Sequence, residues 1–329
     1  MYLENKYQDE IQIAFNIHDG NGSLSKFMAT CMLSILENTD NKVRFHILHD
    51  YTINDEIKNV LKSMVEKYNQ NINFYNIKLE DKIKNLKGLK KISIGSIYRL
   101  YICQYLKEYR KVIYLDWDII VNIDIAELWN EDLDNMSIAV TLDEITNRGD
   151  GSRLCKGIPI KREKYINSGV VIFNIEKINN KYNLMEEAIA FLDKYPFAQL
   201  PDQAFLSYLF QEDRKIISNK YNWIVDIYEE EKELDVIYHF SGIRKAWNMI
   251  DPNRISDKLF WKYFLMTPWG NNKDILINTI ISARGNIENM ILVFPINNRL
   301  MIKNILLKGC RNIYFLRKIK RILMKKLNW

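Results

Sequence analysis

The amino-acid sequence predicts an α/β fold with a mainly parallel sheet and flanking helices. Short runs rich in Ile, Val, Phe and Tyr alternate with segments in which apolar residues recur at helical spacing. Strands that alternate with helices favour parallel pairing, because parallel neighbours need a crossover connection. One run, VIYL in 111-KVIYLD-116, is continuously apolar, which is typical of a central strand covered on both faces.

The individual elements follow from these patterns. Seven runs read as strands: residues 12–17, 43–48, 72–77, 111–116, 137–142, 169–175 and 236–240. Between the second and third, an i, i+3, i+4, i+7, i+8 pattern predicts a helix with Asn54 as its cap; its apolar residues are Ile57, Val60, Leu61, Met64 and Val65. Helices are also expected at residues 24–37, 96–108, 183–194 and 202–211.

Length and composition bound the class of protein. The 329 residues, 47% of them hydrophobic, suffice for one large domain or two modest ones, and we place a loose boundary after 269-WGNN-272, between residues 1–270 and 271–329. The four scattered cysteines argue against a disulfide framework or a zinc cage and fit a reducing compartment. We expect no signal peptide and no membrane-spanning segment, because no basic-then-apolar start and no apolar stretch of about 20 residues is present.

The net charge of +6 hides a basic C-terminal segment. Ten cations and no acidic residue follow Glu288, so the chain before them has a net charge of −4. Within residues 299–329 the apolar residues recur at roughly helical spacing: Ile313, Leu316, Ile319, Ile322, Leu323 and Leu327. This favours a basic amphipathic helix on an anionic membrane surface, and the alternative is a helix packed on the rest of the protein. Nucleic acid is not expected as a partner, because no recognised binding module accompanies the charge.

Two carboxylates end the apolar strand in 111-KVIYLDWDIIVNID-124. Asp116 and Asp118 lie where ligands bind in open α/β sheets, beyond the carboxyl end of a strand. Residues i and i+2 of an extended chain point to one side, and two carboxylates there are ligands for a hard divalent cation that offsets their repulsion. The Asp-x-Asp pattern alone is a weak signal, since it is common in solvated loops.

A second candidate group lies in 236-VIYHFSGIRKAW-247. His239 ends another apolar strand, and Gly242 and Lys245 follow it. A lone histidine is more often a core residue. Glycine, however, allows a close backbone approach to a ligand, and lysine suits a phosphate. One histidine with two aspartates favours Mn²⁺ or Mg²⁺ holding a diphosphate over a structural zinc.

Polar residues also interrupt 165-YINSGVVIFNI-175 and 200-LPDQAFLSYLF-210. Asn167 and Ser168 precede a strand, and Asp202 stands where a helix begins. Each has a simpler interpretation: a turn for Asn167 and a helix cap for Asp202. Asp143, at the end of another strand, has the same ambiguity. No P-loop, Gly-x-Ser-x-Gly or Rossmann glycine motif is present.

Five ordered stretches together resemble glycosyltransferase family 8 over residues from about 10 to about 250. They are 93-SIGSIYRLYI-102, YLDWDIIV, NSGVVIFNI, PDQAFL and HFSGIRKAW. The resemblance implies the Rossmann-like GT-A fold of nucleotide-sugar transferases. It also implies transfer of glucose or galactose from a UDP-sugar with retention of anomeric configuration, dependent on Mn²⁺ or alternatively Mg²⁺.

The resemblance assigns roles position by position. It implies metal ligands at Asp116, Asp118 and His239, with Asp202 and Gln203 as the catalytic pair. It implies nucleotide contacts at Asn16, His18, Asp19, Asp116, Trp117, Gly242 and Lys245, and contacts to donor sugar or acceptor at Arg99, Asp143, Asn167 and Ser168. The chain departs from the family in 16-NIHDGN-21, which lacks the usual Asn-Tyr of the uridine-binding loop.

The implied enzyme is a cytoplasmic transferase, peripheral on the inner face of the cell membrane. Its partners would be a UDP-sugar, a glycan or lipid-linked acceptor of the cell envelope, and the anionic membrane surface. Gln203 is a poor nucleophile and Asp202 is the other nearby candidate, so front-face substitution is favoured and a covalent route stays open. A nucleotidyltransferase and a non-catalytic sugar-binding relative are the alternative functions.

Overall fold

The computed structural model describes residues 10–79, 94–148, 154–228, 232–283 and 291–309. The seven predicted strands are present, together with three short ones that the sequence patterns did not indicate. In chain order the strands are β1 (Ile11–Ile17), β2 (Val43–His49), β3 (Asn71–Asn76), β4 (Lys111–Leu115), β5 (Ile119–Val121), β6 (Ile138–Leu142), β7 (Ile166–Asn174), β8 (Arg214–Ile216), β9 (Trp223–Ile224) and β10 (Ile237–His239).

Helices connect these strands, and the predicted cap of the second helix is confirmed: the Ile57 amide donates to Asn54 Oδ1 at 2.9 Å. The α-helices are α1 (Ser25–Glu37), α2 (Asp55–Glu66), α3 (Ile102–Tyr105), α4 (Ile125–Trp129), α5 (Glu144–Arg148), α6 (Ile175–Lys181), α7 (Leu184–Lys194), α8 (Pro201–Leu209), α9 (Ile255–Met266), α10 (Pro268–Asn271), α11 (Lys273–Ser282) and α12 (Ile296–Gly309). Short 3₁₀ helices occur at Ile94–Tyr101, Arg162–Lys164 and Asn219–Asn222.

The helix predicted at residues 96–108 differs from the structure. Its first six residues belong to the 3₁₀ helix Ile94–Tyr101, and only one α-helical turn follows in α3. Tertiary contacts decide the conformation here. The tighter winding lets the Tyr98 hydroxyl donate to Asp50 Oδ2 at 2.8 Å and brings Arg99 Nη2 within 2.8 Å of Asp116 Oδ1.

A mainly parallel sheet forms the centre of the protein, as predicted. Its strand order is β3-β2-β1-β4-β7-β6-β8, and β7 alone runs antiparallel to its neighbours. From β1 the chain proceeds to β2 on one side, while β4 lies on the other. Such a reversal of strand order opens a crevice at the carboxyl ends of the two strands, where α/β proteins bind their ligands.

A second, three-stranded sheet has the order β5-β10-β9. Strand β5 follows β4 after three residues and pairs antiparallel with β10, so that Ile119 lies opposite His239. The small sheet therefore returns a distant segment of the chain to the end of β4.

Three buried apolar clusters hold the layers together, and the third joins α1 to the C-terminal helices. Phe27 of α1 stacks on Trp247 with ring centroids 4.0 Å apart, and Trp261 and Phe264 of α9 belong to the same cluster. Residues Leu276 and Ile280 of α11 are also buried in it. The division between residues 1–270 and 271–329 stays a prediction.

Only the beginning of the basic C-terminal segment belongs to the described residues, in α12. The apolar positions Ile313, Leu316, Ile319, Ile322, Leu323 and Leu327 lie outside them, as do most of the cations. Across the ranges that are described, no helix is both long enough and apolar enough to span a bilayer.

Candidate active site

Asp116, Asp118 and His239 converge where β4, β5 and β10 meet. The Asp116 amide donates to the Gly169 carbonyl of β7 at 2.8 Å, and the Phe240 amide donates to the Asp118 carbonyl at 3.0 Å. These bonds fix the turn between β4 and β5 against β7 and against the end of β10. As a result, one ligand atom from each of the three side chains lies within 4.8 Å of the others.

The donor atoms of this cluster suit a hard divalent cation. His239 Nε2 lies 3.5 Å from Asp118 Oδ1 and 3.9 Å from Asp116 Oδ2, and the imidazole is 3% exposed. The other ring nitrogen, Nδ1, lies 2.8 Å from Asn222 Oδ1 and is turned away from the carboxylates. Two carboxylates with one oriented imidazole nitrogen therefore fit a bound Mn²⁺ or Mg²⁺.

Gly169 makes room for the histidine. A Cβ atom at this position would lie 2.3 Å from His239 Cε1, well inside van der Waals contact. Gly169 was not identified from the sequence, although a glycine within an otherwise apolar strand is a recognised sign of close approach by a neighbouring group.

Two basic side chains compensate the carboxylates. Lys245 Nζ donates to Asp118 Oδ2 and to the Phe240 carbonyl. Burial by itself raises the pKa of Asp118, but Lys245 and then His239 outweigh it, so this pKa lies below its usual range. Arg99 makes the corresponding pair with Asp116 at 2.8 Å and is almost fully buried. The cluster thus lies between two cations that the chain itself supplies.

Arg99 connects Asp202 to the cluster, because the same guanidinium pairs with Asp202 and with Asp116. Asp202 Oδ2 lies 3.0 Å from Arg99 Nε, and both side chains are 6% exposed. The N-cap of α8 is Leu200, so Asp202 lies inside the first helical turn, one residue beyond Pro201. Burial raises the pKa of Asp202, and Arg99 opposes that shift.

Leu200 was not identified from the sequence. It has a left-handed backbone with φ +47° and lines the same cavity as Asp202. For a residue with a Cβ this conformation costs on the order of 1–3 kcal/mol, and such strain concentrates at functional sites. The kink sets the direction in which α8 presents Asp202 and Gln203.

A polar group on β6, β7 and α8 lies beside these residues. Gln203 Oε1 accepts from the Ser168 amide at 3.1 Å, and Gln203 Nε2 lies 3.4 Å from Asp143 Oδ2. Asn167 Nδ2 donates to the same Asp143 oxygen at 3.1 Å. Arg99 Nη1 donates to both the carbonyl and the hydroxyl of Ser168 at 2.7 Å. The predicted donor-sugar residues therefore form one connected group with Arg99.

These groups border a cavity of about 290 Å³. Its lining consists of Ser96, Arg99, Asp116, Asp118, Asn167, Ser168, Leu200, Asp202, Gln203, His239, Ser241 and Gly242. Gly242 has φ +97°, a conformation that favours glycine and leaves its backbone uncovered at the edge of the cavity. We call Asp116, Asp118 and His239 the metal cluster, because they are the candidate metal ligands. The metal cluster and the pair Asp202 and Gln203 thus line one cavity.

The remaining predicted nucleotide contacts lie around the ends of β1 and β4. Asn16 Oδ1 accepts from the Tyr114 hydroxyl at 2.6 Å, and His18 Nδ1 lies 2.7 Å from Asp50 Oδ2. Both Asp19 carboxylate oxygens accept from backbone amides at the start of α1. Trp117 packs beside Trp247 in the aromatic cluster. In the part of the chain that the structure describes, Asn16, His18, Asp19 and Trp117 do not line the cavity.

The mainly parallel sheet with its flanking helices is the GT-A fold found in glycosyltransferases. A galactosyltransferase, LgtC, solved with donor and acceptor sugar analogues, superposes on the chain with a TM-score of 0.65. The two share 20% identity over 78% of this chain and 96% of that one, a likeness that shows the fold.

The chain belongs to glycosyl transferase family 8, whose profile matches residues 3–251. A lipopolysaccharide 1,2-glucosyltransferase of Escherichia coli is 30% identical over 268 residues, covering 74% of this chain and 75% of that protein. General stress protein A of Bacillus subtilis is 25% identical, covering 82% of this chain and 99% of that protein. Enzymes of this family generally depend on a divalent metal, and the Asp116, Asp118 and His239 cluster supplies suitable ligands.

Gly169→Ala tests whether the packing against His239 holds the cluster together. The added methyl group must displace the imidazole, and the affinity for Mn²⁺ should fall by roughly 10- to 100-fold, as when other supports of a metal ligand are lost. Isothermal titration calorimetry of the folded variant measures this.

Gly157→Ala is the matched control, because a Cβ atom there meets nothing within 4 Å. It should keep the wild-type affinity despite some backbone strain at φ +79°. Wild-type Mn²⁺ binding by Gly169→Ala would show that the close approach is unimportant.

Proposed function

We propose that the protein is a metal-dependent, retaining hexosyltransferase. It moves glucose or galactose from a UDP-sugar to a glycan or lipid-linked acceptor of the cell envelope. The observation that carries the proposal is the single cavity that Asp116, Asp118 and His239 share with Asp202 and Gln203. The names of the Escherichia coli glucosyltransferase and of the galactosyltransferase LgtC support a hexose as the group transferred.

The metal side of the cavity would receive the diphosphate of the donor. Asp116, Asp118 and His239 would hold a Mn²⁺ or Mg²⁺ there, which would supply charge neutralisation for the UDP leaving group. Lys245 Nζ already contacts the Asp118 carboxylate. Its ammonium is therefore close enough to contact a phosphate oxygen of a diphosphate bound beside Asp118. The uncovered backbone of Gly242 lets a phosphate approach closely. The residues thus stabilise charge that builds up as the bond between sugar and phosphate breaks.

The other side of the cavity would hold the sugar. Arg99 anchors the Asp202 carboxylate, and Ser168 anchors the Gln203 amide, so both groups are fixed before a ligand binds. A carboxylate that is paired with a guanidinium is held in a fixed orientation, which suits it to orient a sugar hydroxyl. We therefore favour attack of the acceptor hydroxyl on the face that UDP leaves, through an oxocarbenium-like transition state. This course retains the anomeric configuration.

Membership of a glycosyltransferase family favours sugar transfer over the nucleotidyltransferase alternative, which needs the same paired carboxylates. The presence of Asp202 and Gln203 beside the metal cluster favours turnover over a sugar-binding protein without activity. The three functions predict different products: UDP from a UDP-sugar, pyrophosphate from a nucleoside triphosphate, or no product.

We further propose that the enzyme acts in the cytoplasm at the inner face of the membrane. The support is the charge pattern of residues 299–329, in which cations alternate with apolar residues and no anion is present. A basic amphipathic segment of this kind gains from burial of its apolar face and from attraction to anionic lipid. Lipid-linked acceptors would be available at that surface.

A panel of UDP-sugars, with and without a chelator, tests the metal role. We expect UDP release from UDP-glucose or UDP-galactose that stops in excess chelator and returns with Mn²⁺ more fully than with Ca²⁺. Asp118→Asn should raise the barrier by about 3 kcal/mol or more, roughly a hundredfold in rate, because a main source of electrostatic stabilisation is lost.

Asp213→Asn is a matched control for the aspartate change. Asp213 is also paired with cations, Lys177 and Lys181, but it does not line the cavity. Its substitution should affect stability and leave the rate per folded molecule near the wild-type value. Full activity in excess chelator contradicts the metal role.

The stereochemistry of the product tests the retaining course. An α-linked UDP-sugar should give an α-linked product, identified by NMR of the anomeric proton. A β-linked product would exclude retention.

Asp202→Asn tests the role of the carboxylate that lines the cavity and contacts Arg99. The substitution should greatly reduce turnover while it changes the melting temperature little. A variant that melts early but has normal activity per folded molecule would show that Asp202 has only a structural role.

Sedimentation with liposomes tests the membrane proposal. The full chain should bind vesicles that contain anionic lipid at low salt and should detach at high salt, since each cation near the surface contributes about 1 kcal/mol that salt screens. A chain ending after Gly309 keeps α12 and its buried Ile302 but loses seven of the ten cations, and it should stay in solution while it keeps UDP release. Equal binding of both chains, or equal binding to neutral and anionic vesicles, would remove the membrane role.

A further inference from the structure

A continuous set of hydrogen bonds and ion pairs leads from one predicted metal ligand to another. It runs from His239 through Asn222, Asn167, Asp143, Gln203, Ser168 and Arg99 to Asp116. We call this set the polar ring, because its two ends meet again in the metal cluster. Asn222 is the member that no sequence motif indicated.

Asn222 has a full set of partners although it is 3% exposed. Its Oδ1 lies 2.8 Å from His239 Nδ1, and its Nδ2 donates to Asn167 Oδ1 at 2.9 Å and to Thr141 Oγ1 at 3.0 Å. It comes from the 3₁₀ helix that leads into β9, the strand beside β10. The side chain does not line the cavity, so it acts only through the residues that do.

The direction of each hydrogen bond in this part of the ring follows from the Gly169 amide. The Asn167 NH₂ group faces Asp143 Oδ2 at 3.1 Å. A backbone N–H only donates, so the Asn167 atom that the Gly169 amide meets at 3.0 Å must be the oxygen Oδ1. The Asn222 group that meets this oxygen must in turn be its NH₂, which leaves the Asn222 oxygen for His239.

The orientation of Asn222 determines which ring nitrogen of His239 carries the proton. Because Asn222 presents an oxygen, His239 must donate through Nδ1–H. A neutral imidazole with its proton on Nδ1 has a free electron pair on Nε2, the nitrogen that faces Asp116 and Asp118. This is the form of histidine that can ligate a metal.

We propose that Asn222 is a positioning residue that fixes His239 with Nε2 ready to bind a metal and links this ligand to the donor-sugar residues. The inference rests on the proposed metal-dependent function. It extends that function, because it makes metal affinity depend on a side chain that touches neither metal nor substrate. The two halves of Asn222 have separable tasks: the oxygen orients His239, and the nitrogen holds Asn167.

Two substitutions separate these tasks. Asn222→Leu removes both and should lower the Mn²⁺ affinity by roughly 10- to 100-fold, measured by calorimetry without any donor. Asn222→Asp keeps an oxygen for His239 and loses the bond to Asn167. It should therefore keep the Mn²⁺ affinity while the KM for the UDP-sugar rises. Asn38→Leu is the control: this asparagine also donates to Val121 and Tyr263 and lies outside the ring, so only stability should change.

A measurement on the unmodified protein decides the orientation even if a variant fails to fold. Long-range ¹H–¹⁵N NMR of the metal-free, histidine-labelled chain should show the proton of His239 on Nδ1, with the four histidines assigned by single substitutions. An Nδ1 that carries no proton, or unchanged Mn²⁺ affinity in folded Asn222→Leu, overturns the inference. A wild-type chain that binds no Mn²⁺ instead overturns the metal role in the proposed function, and the NMR result still decides the role of Asn222.

Discussion

The compensation of two carboxylates at the end of β4 is the constraint on which the rest of the site depends. Asp116 and Asp118 repel each other, and leaving a buried charge without a partner costs about 3–5 kcal/mol. The chain meets this cost with Arg99 on one carboxylate and Lys245 on the other. Arg99 in turn also holds Asp202, so the same guanidinium that compensates Asp116 positions a second carboxylate of the cavity lining.

The two sheets bring these groups together. Strand β4 ends beside β1, where the strand order of the large sheet reverses, and this places Asp116 at the crevice. Strand β5 then leaves the large sheet and pairs with β10, which returns His239 from more than a hundred residues away. An absent side chain at Gly169 lets the imidazole approach β7. The metal cluster is therefore a product of topology, strand register and one glycine.

Much of this was predictable from the sequence, because the strands and the ligand motifs carry strong local signals. The VIYL run indicated a central strand, and Asp116, Asp118 and His239 stood at strand ends. The 3₁₀ conformation before α3 was not predictable, since contacts of Tyr98 and Arg99 with other strands decide it. Asn222 carried no signal either: an asparagine before a tryptophan is ordinary, and its importance arises only from three partners distant in sequence.

We propose that Asp116, Asp118 and His239 together bind a divalent cation in the cavity that they share with Asp202 and Gln203. Anomalous scattering from crystals grown with Mn²⁺ and UDP, collected above and below the manganese absorption edge, tests it most directly. We expect one strong anomalous peak within coordination distance of both carboxylates and of His239 Nε2. No peak at that position at saturating Mn²⁺, or a peak that His239 does not touch, would contradict it.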